Sequence, residues 1–180
     1  GTAPAPAAVA PAPNCPAAAR EPAAWSARPV GTADHPAVLA FFTEPDFHFR
    51  TAWPDTRAEW EVLDLLGEDT RLVLADGVPA GLFETEDVAG AHACHLQLHL
   101  RLTAALPTSA WAAAYREVVR GLRWQRELVR ITVCVGAWDT RGLAAARLAG
   151  LSEEGELPAV VMRDGGRHGT VFFSQIWEPR

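Results

Sequence analysis

Leu96-Gln97-Leu98-His99-Leu100-Arg101-Leu102, followed by Pro107-Thr108-Ser109 and by Trp111, Tyr115, Val118 and Leu122 at helical spacing, decides how this chain folds. Strict alternation from His92 to Leu102 predicts a strand. Cys94 and the four leucines lie on one face; Ala93, His95, Gln97, His99 and Arg101 lie on the other. Pro107-Thr108-Ser109 punctuates and caps a helix over Ala110–Arg123, with Arg116, Arg120 and Arg123 facing water. Val129–Val135 reads as a buried strand, and Asp139 or Thr140 caps a helix of small residues ending at Gly150. A strand end beside a helix N-terminus is a place where backbone N–H groups can hold an anion.

Outward from this unit, residues 1 to about 22 are nearly all Ala and Pro and predict an extended tether. Trp25–Val30 reads as a short strand, and Asp34 as the N-cap of a helix through Phe42. Phe47, Phe49 and Trp53 fall in an irregular aromatic stretch. Thr56 with Glu59 forms a capping box opening a helix that Gly67 ends. A hairpin follows, Arg71–Ala75, Asp76-Gly77, then Val78–Phe83. The last hairpin runs Leu157–Met162, Asp164-Gly165-Gly166 and Thr170–Trp177.

A chain of 180 residues suits one domain, here residues 23–180 after the tether. The sixteen basic residues are all Arg, which with the abundant Ala points to a GC-rich coding genome. A net charge of −6 argues against a nucleic-acid surface, and no apolar run approaches a membrane span of about 20 residues. Cys15, Cys94 and Cys134 are odd in number and widely spaced, against a disulfide framework or zinc knuckle and in favour of a reducing cytoplasm.

Three local motifs, in this order and spacing, carry a resemblance to the GNAT superfamily of acyl-CoA-dependent N-acyltransferases. Arg28-Pro29-Val30 with Asp34 resembles the family's opening strand and helix. Asp76-Gly77-Val78-Pro79-Ala80-Gly81 resembles its "D-G-x-P-V-G" turn. Asp139, Gly142 and Gly150-Leu151 resemble "N-x-x-S … G-F" of the ribosomal-protein-alanine acetyltransferase-like branch. The resemblance implies an α/β fold: a mixed, largely antiparallel seven-stranded sheet with four helices, splayed between the fourth and fifth strands. It implies acetyl-CoA, another acyl-CoA or an acyl-pantetheine as cosubstrate. Leu100, Arg101 and Leu102 would meet pantetheine; Thr108, Ser109 and Ala110 the diphosphate; and Asp139, Gly142 and Ala146 the far wall. This chain departs from the family's "R/Q-x-x-G-x-G/A" loop, having Ala105-Leu106-Pro107-Thr108-Ser109-Ala110 instead, and its last helix has no Tyr.

Acylation of an amine needs a group that removes a proton from the acceptor. His95 and His99 share the polar face of the central strand and are the candidate bases, against the plain alternative of ordinary strand residues. His92 falls on the opposite face, so a three-histidine metal site is not expected. Phe47, His48, Phe49 and Trp53 are candidates for the acceptor site, against simply capping the core, and Glu84 for orienting the amine, against a solvated strand end. Cys134 reads as a small core residue, with contact to a thioester beside the splay as the alternative; Trp111 and Tyr115 read as core, and Arg163, Arg167 and His168 as solubilising residues of a turn. The expected activity is transfer of an acyl group from CoA or a carrier-protein pantetheine to a small amine in a bacterial biosynthetic pathway, by a monomer or homodimer. A catalytically silent binding module of the same fold, or another thioester-tailoring reaction, stands as the alternative.

Overall fold

The computed structural model describes residues 20–50, 58–88, 90 and 94–178. The expectations placed on the tether before residue 20, on Trp53 and Thr56, and on His92 lie outside these residues. The elements run β1 (Trp25–Pro29), a 3₁₀ turn (Thr32–Asp34), α1 (His35–Phe41), α2 (Glu59–Asp64), β2 (Arg71–Ala75), β3 (Val78–Asp87) and β4 (His95–Leu102). Then follow α3 (Thr108–Gln125), β5 (Arg130–Gly136), α4 (Thr140–Leu148), β6 (Ser152–Arg163) and β7 (Gly166–Ile176). The seven strands form one sheet in the order β1-β2-β3-β4-β5-β7-β6. Every pairing is antiparallel except β4 with β5.

The period-2 pattern sends apolar side chains to both faces. In β2, Val73 joins the core beneath α3 and α4, while Leu72 and Leu74 join a second core with Val38 and Phe41 of α1 and Val62 of α2. Leu96, Leu98, Leu100 and Leu102 all lie under α3, against Trp111, Ala114, Tyr115, Val119 and Leu122. The α3 stripe therefore includes Val119, and Val118 is only partly buried, because helix positions spaced by three and four both face the sheet. Leu96 and Leu98 are essentially inaccessible, and truncating either to Ala would cost about 2–5 kcal/mol. Gly81 has a steric reason: a Cβ there would overlap the Arg101 carbonyl oxygen, so only Gly lets β3 lie this close to β4.

Both expected two-residue turns form with positive φ at each centre, Asp76 (50°) with Gly77 (79°) and Asp164 (49°) with Gly165 (74°). Asp34 stands at the N-cap position of α1 as expected, but its side chain makes no capping bond: its carboxylate accepts from the Gly31 N–H at 2.8 Å and from Arg28 at 2.6 and 2.8 Å. The Arg28 guanidinium, then the Gly31 amide, hold this carboxyl down at about 2. α2 starts at Glu59, where Glu61 accepts from the Ala58 N–H at 2.8 Å. Ser109 does not cap α3, whose N-cap is Pro107; the serine lies inside the first turn.

β4 and β5 pair only at His95–Arg130, Leu96–Ile131 and Gln97–Thr132. Both strands continue, to Leu102 and Gly136, without further pairing to each other. The expected splay is present, and it positions the site. No helix among the described residues is long and apolar enough to cross a membrane.

Candidate active site

Where the ladder stops, a cavity of about 180 Å³ opens between β4 and β5. It reaches both sheet faces: Trp111 and Tyr115 line it from α3, His99 and Cys134 from the strands, and His48, Phe49 and Arg50 from the loop after α1. A wider cleft of about 460 Å³ continues past Arg101 and Trp138 toward Ala104, Arg141, Arg163 and His168. A larger cleft, about 840 Å³, lies elsewhere between β1–β3 and α3. The strand gap and the imidazoles lie at the smaller cavity and its neighbouring cleft, and the larger cleft has neither.

Arg101 spans the gap. Its side chain is 7% exposed; Nη1 donates to Asp139 Oδ2 at 2.5 Å and Nη2 to the Asp46 carbonyl at 2.6 Å. Its guanidinium stacks on Trp111, 4.5 Å from the ring centroid, and Arg141 stacks on the same indole at 4.3 Å. Asp139 also caps α4, accepting from the Gly142 N–H at 3.0 Å as the sequence predicts. The pair thus joins the free end of β4 to the start of α4.

The two candidate histidines occupy different places. His95 sits at the closed end of the splay, its Nε2 2.7 Å from Thr132 Oγ1, and lines neither cavity. Burial and then the Arg130 charge lower its pKa. His99 lines the gap, and its Nε2 is buried without a hydrogen-bond partner. Glu86 Oε1 stands 3.4 Å from that nitrogen, without hydrogen-bond alignment, and is held by Arg50 Nη2 at 3.1 Å. Arg50 also pairs with Glu84 at 2.6 Å and adopts φ 55°, a left-handed conformation unusual for Arg.

Of the other expected site residues, Leu100, Arg101, Leu102, Asp139, Gly142 and Phe49 line the gap or the cleft. Thr108, Ser109, Ala110, Ala146, Phe47 and Glu84 line neither; Ala110 and Ala146 are fully buried, and Phe47 packs on Phe41 at 5.2 Å. Among the described residues no group of His, Cys, Asp or Glu is placed to hold a metal ion.

Further residues line the gap and cleft: His48, one of the acceptor-site candidates, and Trp138, Arg163 and His168, which nothing in the sequence assigned to the site. His48 lies edge-on to Trp138, 6.0 Å between centroids, and 3.4 Å from Arg163 Nη1. Burial first, then the Arg101 and Arg163 charges, lower its pKa. Arg163 is not a solvated turn residue: its side chain is 11% exposed and lies over Trp138, 5.2 Å from the ring centroid. His168 meets the same ring edge-on at 5.7 Å, while Arg167 is exposed as expected. Trp138 rests on Gly136, where a Cβ would stand 2.5 Å from the indole, and Trp138 Nε1 has no hydrogen-bond partner among the described residues. Cys134 lines the gap as well as the sheet, and burial pushes its thiol up.

No family model matches the sequence, and no curated protein matches it. Solved structures match the fold at low identity. A GNAT-family acetyltransferase from Bacillus anthracis superposes with TM-score 0.71 at 12% identity, covering 86% of this chain and 96% of that one. A Salmonella typhimurium acetyl transferase that modifies the N-terminal serine of ribosomal protein L7/L12 gives 0.72 at 10%, covering 89% and 99%. A ribosomal L7/L12 α-N-protein acetyltransferase in complex with coenzyme A gives 0.71 at 11%, covering 88% and 97%.

Proposed function

We propose that this chain, which has the fold of the GNAT acetyltransferases, transfers an acyl group from a pantetheine thioester, carried by CoA or by a carrier protein, to a small amine. The observation that carries this is the unpaired stretch of β4 and β5 beyond Gln97 and Thr132, with His99 lining the opening. Unpaired strand edges offer N–H and C=O groups to an amide-bearing arm, as in strand addition. The pantetheine part of the donor fits such a gap at Leu100–Leu102; a bound thioester supplies an electrophilic carbonyl there.

The remaining work falls to the chain. Phe49 and His48 wall the acceptor side, and His99 Nε2 takes a proton from the amine as its nitrogen bonds to the acyl carbon. Glu86 Oε1 stands 3.4 Å from that nitrogen. The carbon–sulfur bond breaks, and the thiolate leaves and is protonated. The widely spaced cysteines and the Arg- and Ala-rich composition are what favour a bacterial cytoplasmic biosynthetic role within this reading, for a monomer or homodimer.

The buried Arg101–Asp139 pair, which fills part of the gap, favours a second reading: a module that binds its ligand without turnover. A thiol-release assay with acetyl-CoA and acetyl-pantetheine over a panel of amines separates the two. The enzyme yields one N-acylated amine per thiol released; binding with no thiol release supports the silent module.

A further inference from the structure

The loop Thr103–Pro107 and the first turn of α3 form the natural anion seat of this unit, where a helix of 18 residues presents its positive end beside a strand terminus. The chain's own groups already occupy it. Ala104 N–H donates to Glu44 Oε2 at 3.0 Å, and Thr103 Oγ1 to Glu44 Oε1. Ala105 N–H turns back to Thr103 Oγ1 at 3.3 Å, and Leu106 N–H to the Thr103 carbonyl at 3.2 Å. Pro107 has no N–H. Arg141, the nearby cation, donates to the Ala104 carbonyl at 2.8 Å and to the Leu106 carbonyl. Within the helix, Ser109 Oγ donates to Glu21 Oε1. Each amide from Ala104 to Pro107 is therefore spent or missing, the Thr108 and Ser109 N–H groups remain as first-turn donors, and two carboxylates lie against the loop and the helix start.

We infer that Glu44 and Glu21 are specificity-determining residues, built-in anions that disfavour a diphosphate at the start of α3, so that the donor is a pantetheine thioester arm without a nucleotide diphosphate. This rests on the acyltransferase reading above and narrows its donor. A diphosphate brought to this loop would displace Glu44 from an amide and a hydroxyl and meet its charge directly. The arm itself, lying along β4 and β5, touches neither carboxylate.

Calorimetry with CoA and with pantetheine, on the full chain and on its Glu44→Gln and Glu21→Gln variants, tests this. Glu21 is exposed and Glu44 half-buried, and circular dichroism verifies each fold. The expected result is that wild type binds pantetheine at least as tightly as CoA. Glu44→Gln then tightens CoA about tenfold, the change that about 1.4 kcal/mol of removed repulsion gives, with pantetheine unchanged within about twofold. CoA binding more tightly than pantetheine in wild type, with no gain in Glu44→Gln, would overturn the inference. Binding of neither compound to any variant would instead overturn the acyl-donor reading, and this inference with it.

Discussion

Arg101 Nη1 donates to Asp139 Oδ2 across 2.5 Å, and this ion pair bridges β4 to the start of α4 beyond the point where β4 and β5 cease to pair. The side chains are 7% and 9% exposed, so each charge depends on the other. Asp139→Leu leaves a buried guanidinium uncompensated and should destabilise the fold by about 3–5 kcal/mol. Chemical denaturation of a double-mutant cycle with Arg101→Met measures the coupling. Much of the loss should return in the double variant; strictly additive losses would mean the pair carries no coupling.

His99 and His95 should separate functionally. His99→Ala should lower kcat with the preferred amine about 10²–10⁴-fold, the usual worth of a positioned base. His95→Ala loses its contact with Thr132 and should cost about 1 kcal/mol of stability while leaving kcat within about threefold. Equal losses of kcat in both variants would remove the distinction.

Stability should depend on pH through His48. Its folded pKa lies below the unfolded value of about 6.5, so the unfolded chain binds the proton more readily. Stability is then fully present above about pH 6.5 and is lost as the pH falls from there through the folded pKa. His48→Gln should flatten the thermal midpoint across this window, leaving a smaller slope from His95, whose pKa is lowered in the same sense. An unchanged slope in His48→Gln would contradict the assignment.

Gly136→Ala should displace Trp138, because its new methyl would stand 2.5 Å from the indole. A tryptophan emission shift and a raised KM, with the far-ultraviolet spectrum retained, are the expected signs. Emission unchanged from wild type would show that the ring is not seated on Gly136.

The fold was legible because its signals are local. The Leu96–Leu102 alternation, Asp76-Gly77 and the Asp139 cap each rest on a few neighbouring residues, and each stands as expected. The candidate site was legible mainly where such elements end in it, at His99 to Leu102 of β4 and at Asp139 and Gly142 at the start of α4. Glu44, 59 residues from Thr103, and His48, 115 residues from Arg163, meet only after the sheet has formed, and nothing in their local sequence records the encounter. Arg163 misled for the same reason: a turn arginine looks solvated until its hairpin lies over Trp138.

The central claim is that the donor's pantetheine arm lies in the β4/β5 gap. Methyl-labelled nuclear magnetic resonance with a non-hydrolysable acyl-pantetheine analogue tests it most directly. Intermolecular Overhauser effects from the arm to the methyls of Leu100, Val133 and Val135, which line the gap, are the predicted result. Effects confined to Val73 and Val118, in the larger cleft beside β1, would place the ligand elsewhere and contradict the account.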